Sequence, residues 1–263
     1  MPEPPRDQPA QQPPPVQRLR IRYAKRGRLR FTSHRDFGRA FERAVNRARL
    51  PIAYSSGFSP HPRISYANAS PTGAASEAEY LEVGLTQEVD PAIVHQALAE
   101  SLPPGLDVLR VVVAAPGALA DRLQASVWQI RMPGASVPEV EAATKAFLAT
   151  DRVEVERMTK RGLRTFDCRS AVVSLTVSTG SLGADADKRD PCAILDVVVR
   201  HGTPAVRPDD ILAGLCEIAG LTAPVPVSQI RLAQGPLDPE TGHVGDPLGP
   251  DRDLSGEDPD EDR

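Results

Sequence analysis

Arginine side chains recur at two regular spacings near the start of the chain. Between residues 18 and 66, thirteen Arg and Lys residues stand against two acidic residues, Asp36 and Glu42, although the whole chain carries a formal net charge of −4. The guanidinium group is a planar fork of donors that matches phosphate oxygens, so these arginines predict a polyanion-binding surface. The candidate anion-binding residues are Arg18, Arg20 and Arg22 at strand spacing, and Arg35, Arg39 and Arg43 at helix spacing.

The alternative interpretation of this basic segment is a solvated helix face or a contact with an acidic protein partner. Arginines four residues apart on a helix repel each other and weaken the helix by roughly a few tenths of a kcal/mol per pair. Because this repulsion brings no benefit to folding, the spacing favours a true site for a polyanion such as RNA.

The segment Ser55–Arg63 (SSGFSPHPR) holds the next residues that could do chemistry. Prolines on both sides of His61 restrict the backbone, so the imidazole is presented with little conformational freedom left to lose. Phe58 lies in a polar loop, where an aromatic ring can stack on an unpaired base, and Gly57 is expected to adopt an unusual φ. We therefore expect Phe58, His61 and Arg63 to contact RNA. The alternative is a rigid turn in which the Phe58 side chain fills the core.

Catalytic residues are not assigned by the sequence, which contains no P-loop, no dinucleotide-binding GxGxxG and no nucleophile elbow. His34 and His61 are candidates because cleavage of RNA needs an acid and a base near the 2′-hydroxyl. His34 is better explained as a donor to an anion at a helix N-terminus. Glu79, in the acidic stretch 76–82, is the third candidate. A carboxylate there is better explained as a partner that orients arginines toward phosphate.

Both ends of the chain differ in composition from the middle. Residues 1–16 are rich in Pro and Gln, and residues 236–263 contain ten acidic residues and two arginines. Such segments cannot bury enough apolar surface to fold, so we expect a disordered leader and a disordered acidic tail. The tail can be interpreted as a nucleic-acid mimic that competes for the basic surface, but a solubilising appendage is the simpler interpretation.

The remaining residues predict two domains, 17–120 and 121–235, each of about 100 residues. No apolar stretch approaches the roughly 20 residues that cross a bilayer, so the sequence predicts no membrane contact. Cys168, Cys192 and Cys216 are far apart and lie in no CxxC motif, which argues against an iron–sulfur, zinc or other metal site in this chain. Sparse cysteines also suit a reducing cytoplasm.

Hydrophobic periodicity predicts an α+β fold. Residues 18–23 alternate as a half-buried strand, a short strand follows through Leu29 and Phe31, and a capping box at residues 33–36 begins a helix at His34. Apart from that short strand in the first half and one spare strand in the second, the order β-α-β-β-α-β recurs in both halves, which predicts tandem ferredoxin-like (split β-α-β) domains with antiparallel sheets. Such domains leave one sheet face open, and single-strand-binding modules use that face.

The second half carries two further segments of interest. Thr159–Arg169 is basic, and either extends the anion-binding surface or forms a solvated hairpin. Gly180–Asp190 is polar and is expected to be an exposed loop.

Two stretches of the first half resemble a known family. RLRIRYAKRGRLRFTSHRDFGRAFERAVNRARLPIAYSSGFSPHPRISYA and PTGAASEAEYLEV are similar to the radical SAM-linked protein family, a bacterial domain of unknown function. The similarity is specific over residues 18–85, is looser up to residue 232, and has Ala78 where the family pattern has Gly. The matching residues are Ser33, His34, Asp36, Pro51, Tyr54, Ser55, Gly57, Phe58, Pro60, His61, Pro62, Ser65, Ala67, Gly73, Ser76, Glu77, Glu79, Tyr80 and Leu81.

This resemblance implies a role but no mechanism. Members of the family are fused to, or encoded beside, a radical SAM protein, often near genes for ribonucleases and ribosomal proteins. The resemblance therefore implies an accessory protein in RNA modification or metabolism. Its radical SAM partner would carry the 4Fe–4S cluster and S-adenosylmethionine, and this chain would carry no cofactor.

The expected function is that of a cytoplasmic, non-catalytic RNA-binding partner of a separately encoded radical SAM enzyme. The arginines would hold phosphates, while Phe58 and His61 would contact an unpaired base or the reaction site. Two alternatives stay open. One is an RNA-processing or RNA-modifying enzyme with His61 as general acid or base, and the other is a protein module that docks on the radical SAM partner through its basic face.

Overall fold

A computed structural model describes residues 11–159, 162–180, 192–223 and 226–255 of the protein. The first half contains β1 (Gln17–Lys25), a 3-10 helix (Gly27–Phe31), α1 (His34–Arg47), β2 (Ile64–Ala67), β3 (Ala75–Leu85), α2 (Pro91–Ser101), β4 (Leu106–Val113) and α3 (Leu119–Arg122). The second half contains β5 (Ala125–Pro133), α4 (Val137–Ala149), β6 (Glu154–Thr159), β7 (Gly162–Asp167), a 3-10 helix (Arg169–Ala171), β8 (Val172–Gly180), β9 (Cys192–Arg200), α5 (Pro208–Ala219), β10 (Ser228–Gly235) and α6 (Gly249–Ser255). The protein is thus a mixed α+β protein, and its strands pair mostly antiparallel.

The chain divides into two compact units, both of them discontinuous. Within the described ranges, the first unit comprises residues 11–69, 79–119 and 248–255, and the second comprises residues 70–78 and 120–247. The chain passes from one unit to the other next to the predicted boundary at residue 120. The assignment of residues 70–78 to the second unit and the return of residues 248–255 to the first are features that the sequence did not predict.

In the first unit the strands pair in the order β4-β1-β3-β2. β1 is antiparallel to β4, with Leu19 opposite Val113, and therefore has hydrogen-bonded neighbours on both sides. Successive side chains of a strand project to opposite faces of its sheet. Leu19 and Ile21 of β1 belong to one hydrophobic cluster with Phe37 and Phe41 of α1. One face of the sheet therefore packs on α1, and the arginines of β1 project from the other face.

α1 forms where the sequence predicts a helix, and for the predicted reasons. The Ser33 hydroxyl accepts a hydrogen bond from the Asp36 backbone N–H at 3.2 Å and so caps the helix, as expected for a capping box. The buried side chains are Phe37, Phe41, Ala44 and Val45, spaced to form one apolar stripe. The helix ends at Arg47.

In the second unit the strands pair in the order β10-β5-β9-β8, and the first residues of β3 run parallel to β10. β6 and β7 form a separate two-stranded sheet. The core is built from side chains such as Trp128, Phe147, Leu195 and Ile211. α5 spans Pro208–Ala219, and Gly220 follows it with a left-handed backbone.

The predicted strand through Leu29 and Phe31 is wrong, because this segment is a 3-10 helix. Its backbone makes turn-type hydrogen bonds, from the Leu29 N–H to the Arg26 carbonyl at 3.1 Å and from the Thr32 N–H to the Leu29 carbonyl at 2.9 Å. Leu29 packs on the core, whereas Phe31 is 59% exposed. Alternation over only four residues fits a short helical turn as well as it fits a strand.

The prediction of a disordered tail from residue 236 is wrong for residues 236–255. Asp238 accepts hydrogen bonds from the backbone N–H groups of Glu240 and Thr241, which builds a turn. Leu248 and Asp251 are fully buried. The acidic composition does not prevent residues 236–255 from folding. Asp251 is neutralised by the buried Arg20, and Leu248 supplies apolar contact. Residues 256–263 lie outside the described ranges.

The leader also differs from its prediction over its last residues. The Gln12 N–H donates to the Ser56 hydroxyl at 2.8 Å, and the Val16 N–H donates to the Leu85 carbonyl at 2.8 Å. This part of the leader is therefore placed against the first unit because its backbone finds partners there. Residues 1–10 lie outside the described ranges.

The two segments of interest in the second half are described in part. Within the basic segment, residues 162–167 form β7, which pairs with β6 as a hairpin, as one of its two interpretations expected. Residues 160 and 161, and the expected loop at 181–190, lie outside the described ranges, while Gly180 ends β8.

Candidate nucleic-acid interface

Arg20 of β1 is buried and serves the interior of the first unit. Its guanidinium donates from Nε to Glu82 Oε2 at 3.1 Å, from Nη1 to Asp251 Oδ1 at 2.6 Å, and from Nη2 to the carbonyl of Gly117. The side chain has no exposed surface. The prediction that Arg20 binds phosphate is therefore wrong, because two carboxylates already occupy the position that an anion would take.

The segment that covers Arg20 is α6, which also closes the predicted open face at this point. α6 packs against β4, and Asp251 on α6 accepts a second hydrogen bond, from the Ala115 N–H at 2.7 Å. A buried carboxylate needs such a full set of partners, because an unpaired buried charge is strongly unfavourable. The acidic tail therefore does meet the basic strand, but as a structural partner within the interior.

The other two arginines of β1 have different surroundings. Arg22 is half-buried and interacts with neighbouring groups. Arg18 is half-exposed, and its Nη1 lies 3.4 Å from Glu82 Oε1, which makes a long ion pair. Glu82 therefore bridges Arg18 and Arg20.

The arginines of α1 form a separate exposed surface. Arg35, Arg39 and Arg43 are all exposed, on the side of the helix that faces away from its buried stripe. α1 packs on the sheet face from which Leu19 and Ile21 project, whereas Arg18 projects from the opposite face. The two arginine sets therefore lie on opposite sides of one sheet, and the single continuous surface predicted from their proximity in the sequence is not formed.

A cavity of about 490 Å³ lies on the Arg18 side of the sheet. Three of the predicted site residues meet there, Arg18, His61 and Arg63. Glu82 of β3 and the segment Pro14–Pro15 also line it. The cavity thus joins residues from β1, from β3 and from the loop before β2, a set that is spread over most of the first unit's sequence.

Backbone hydrogen bonds close the loop that carries His61. The Ser55 N–H donates to the His61 carbonyl at 2.9 Å, and the His61 N–H donates to the Ser55 hydroxyl at 3.0 Å. Gly57 has φ +121° inside the loop, a conformation that side chains disfavour, so the unusual φ predicted there is confirmed. Phe58 is 76% exposed. The alternative in which Phe58 fills the core is therefore wrong, and its ring is available for stacking.

The described residues leave part of the positive charge of the cavity without a carboxylate partner. Arg63 donates from Nε to the Tyr54 carbonyl at 3.1 Å, which fixes the side chain but leaves the charge without a carboxylate among the described residues. The His61 ring likewise makes no hydrogen bond to any other residue that the structure describes. Among the residues that the structure describes, Arg18 has only its long ion pair with the shared Glu82. An anion entering the cavity would therefore meet incompletely paired cationic groups.

His34 and His61 do not form the pair that RNA cleavage would require. The His34 ring packs edge-on against Tyr66, with ring centres 4.9 Å apart, and Tyr66 packs against Phe37 in the same way. His34 therefore lies on the α1 side of the sheet, while His61 lines the cavity on the other side. Glu79, the third catalytic candidate, is 2% exposed and interacts with neighbouring groups.

Tyr66 lies on β2, between the cavity and α1. Its hydroxyl oxygen is buried and has no hydrogen-bond partner among the described residues. Burial, together with the nearby Glu42 carboxylate, raises the pKa of Tyr66 to about 12. The hydroxyl therefore stays protonated over the whole physiological pH range.

Sequence reasoning missed some of the residues that build this region. Tyr54 is 41% exposed next to the His61 loop, and its aromatic character in a polar stretch was a usable signal. Pro15 and Asp251 gave no signal, because each was assigned to a segment expected to be disordered. Their roles depend on contacts with β3 and β1 that only the folded chain brings about.

Residues 18–208 match a bacterial family described as "Uncharacterized protein conserved in bacteria (DUF2344)". The chain belongs to this family. The matched region of DUF2344 contains Arg18, His61, Arg63 and Glu82, but neither Pro15 nor Asp251. The family region thus supplies the charged groups of the cavity, whereas one wall and the α6 cover come from flanking segments. No curated protein matches the chain.

Two features are absent from the described ranges, a membrane-spanning helix and a group of metal ligands. No helix there is long and apolar enough to cross a membrane. In the same ranges, no three His, Cys, Asp or Glu side chains are grouped so that they could hold a metal ion.

Proposed function

We propose that this DUF2344 protein is a non-catalytic RNA-binding accessory protein of a radical SAM enzyme. The observation that carries the RNA part is the exposed ring of Phe58 on a loop that also brings His61 and Arg63 to a cationic cavity. An exposed aromatic ring beside cationic groups is the combination that binds unpaired nucleotides, since the ring stacks on a base and the cations meet phosphates.

β2 is the element past which the RNA would run. In the described sheet β2 pairs only with β3, so its other edge faces outward. Ser65 of β2 lines the cavity, while Tyr66 contacts His34 at the start of α1. A single strand that crosses this edge reaches the cavity on one side and the α1 arginines on the other. Arg35, Arg39 and Arg43 would then meet phosphates along the strand.

The available groups favour binding over catalysis at the cavity. His61 could move a proton, but a phosphodiester cleavage also needs a second acid or base. Glu82 is the carboxylate that lines the cavity, and both of its oxygens accept from arginines, Oε1 from Arg18 and Oε2 from Arg20. Both oxygens of this carboxylate are therefore already engaged by guanidinium groups of the protein.

The radical SAM part of the proposal rests on the resemblance of the sequence. In this proposal the partner enzyme carries the 4Fe–4S cluster and S-adenosylmethionine, and the present chain delivers an RNA segment to it in the cytoplasm. We also infer that both units are ferredoxin-like, with β6 and β7 as an insertion in the second. The strand orders β4-β1-β3-β2 and β10-β5-β9-β8 support this inference, because each is the order of a split β-α-β unit. An experimental structure would test it.

The experiment that tests the proposed function is crosslinking of the tagged protein in its own host, followed by sequencing of bound RNA and identification of bound proteins. The double variant Arg39→Glu, Arg43→Glu should lose the RNA, because each reversal replaces a phosphate contact by repulsion. A matched control is Lys145→Glu with Arg152→Glu, which makes the same charge change on exposed side chains of the second unit.

Three outcomes separate the possible functions. A defined RNA that is lost in the α1 variant and kept in the control supports the proposal. Recovery of a radical SAM protein with no RNA would show that the basic face docks a protein instead. RNA that is bound equally by the wild type and the α1 variant would rule out the α1 arginines as its contact.

A further inference from the structure

We propose that the cavity beside His61 recognises the phosphate monoester at an RNA end, in preference to an internal phosphodiester. This inference rests on the proposed function and names the part of the RNA that the site selects. It draws on two observations, the positive charge that the described residues leave without a carboxylate and the Pro14–Pro15 segment that forms one wall of the cavity.

The first observation is the excess of positive charge. Arg63 has a backbone carbonyl as its hydrogen-bond partner and no carboxylate among the described residues. Arg18 shares Glu82 with Arg20, and the Arg18 contact is the longer, at 3.4 Å against 3.1 Å. A phosphate monoester carries a charge of about −1.5 to −2 at neutral pH, whereas a diester carries a single charge. The cationic groups of the cavity therefore attract the monoester more strongly than the diester.

The second observation is that the Pro14–Pro15 segment closes one side of the cavity. The segment is held on both flanks, by the hydrogen bond from the Gln12 N–H to the Ser56 hydroxyl and by the one from the Val16 N–H to the Leu85 carbonyl. Pro15 packs closely on Gly84 of β3. A Cβ atom added to Gly84 would lie 2.7 Å from the Cγ atom of Pro15. Only glycine permits this approach, so the wall is built into the packing.

A cavity walled in this way suits a chain terminus. Its volume of about 490 Å³ falls within the range of roughly 300–1,000 Å³ that small-ligand sites occupy. A continuous strand needs an open path on both sides of the bound phosphate, and the proline segment removes the path on one side. A terminal nucleotide needs only one way in, and Phe58 stands exposed on the same loop to stack on a base.

The test compares one short single-stranded RNA in three forms, with a 5′-phosphate, with a 3′-phosphate, and with hydroxyls at both ends. Fluorescence anisotropy with the full chain should give an affinity about tenfold higher for one phosphorylated form than for the hydroxyl form, the size of one charge-assisted hydrogen bond. Inorganic phosphate at millimolar concentration should reduce that preference, because it competes for the same cationic groups.

Substitutions of residues that line the cavity test whether the cavity causes the preference for a phosphorylated RNA end. His61→Gln combined with Arg63→Gln should bring the three RNAs to equal affinity, and Arg63→Lys should give an intermediate preference because Lys keeps the charge but loses the planar fork. Arg39→Glu with Arg43→Glu should weaken all three RNAs by the same factor. Phosphate competition on the wild type keeps the test valid if the double cavity variant fails to fold.

Three results would overturn the inference, and they differ in what they say about the proposed function. Equal affinities of the wild type for the three RNAs would refute the recognition of a terminal phosphate but would leave RNA binding intact. The absence of binding to every form would refute RNA binding itself, and the inference with it. A preference that survives in the double cavity variant would place end recognition elsewhere on the protein.

Discussion

The arginines of β1 and those of α1 are the same residue type within one short segment, yet the fold gives them opposite surroundings. Arg20 is completely buried between Glu82 and Asp251, whereas Arg39 is exposed on the outer face of a helix. β1 is flanked by β3 and β4 and covered by α6, while α1 buries one stripe and leaves the rest to solvent. Spacing alone therefore does not decide whether an arginine serves the interior or a ligand.

The largest expected effect tests the buried half of this comparison. Arg20→Ala removes the cation that Glu82 and Asp251 share. Loss of one partner of a buried ion pair destabilises a protein by about 3–5 kcal/mol. Urea unfolding of the wild type and the variant measures this loss. Arg39→Ala on α1 is the matched control, and should change the free energy of unfolding by less than about 0.5 kcal/mol. Similar losses for the two variants would break the comparison.

The second prediction leaves the buried arginine and concerns Phe58, an uncharged residue of the proposed RNA-binding surface. Phe58→Ala should weaken single-stranded RNA binding by about 1–3 kcal/mol, because one stacking contact is removed. The free energy of unfolding should stay unchanged, since the ring is 76% exposed. Phe31→Ala is the control, because Phe31 is also exposed but its ring already lies under the Arg30 guanidinium, 4.7 Å from the ring centre. An equal loss of affinity in both variants would mean that stacking is not specific to the His61 loop.

The smallest effect concerns β2, which lies between the two arginine sets. The pKa of Tyr66 is raised to about 12 in the folded protein, against an ordinary value of about 10. As the pH rises above 10, the unfolded chain releases this proton first, so the stability falls between pH 10 and 12. Tyr66→Phe should remove this part of the alkaline loss and be near neutral at pH 8, because the hydroxyl has no partner in the described ranges. Unfolding curves at pH 8, 10 and 11 check it, and parallel pH dependences of the two proteins would contradict it.

The parts of the fold that the sequence predicted are those in which local patterns act alone. α1 was predictable because its cap and its apolar stripe lie within fourteen residues, and α5 because Pro208 and Gly220 mark its ends. The segment at Leu29 was not predictable, since four alternating residues fit two structures equally well. α6 was missed because a composition argument averages charges, whereas one buried partner is enough to place Asp251.

The candidate site was predictable in its residue types but not in its assembly. His61, Arg63 and Phe58 were found because prolines and an aromatic residue in a polar loop are local signals. The division of the arginines between two sides of the sheet follows from the pairing of β1 with β3 and β4, which depends on residues up to Val113. The wall at Pro15 likewise depends on its packing against Gly84, which no local pattern records.

The ion pair between Arg20 and Asp251 joins residues that are 231 positions apart in the chain. A ribosome adds about 5–20 residues per second, so Asp251 is made roughly 10–50 seconds after Arg20. During that interval the sheet of the first unit lacks its α6 cover, and the Arg20 guanidinium lacks its Asp251 partner. Synthesis of the first unit therefore begins before that of the second, but its folding is complete only after α6 has been synthesised.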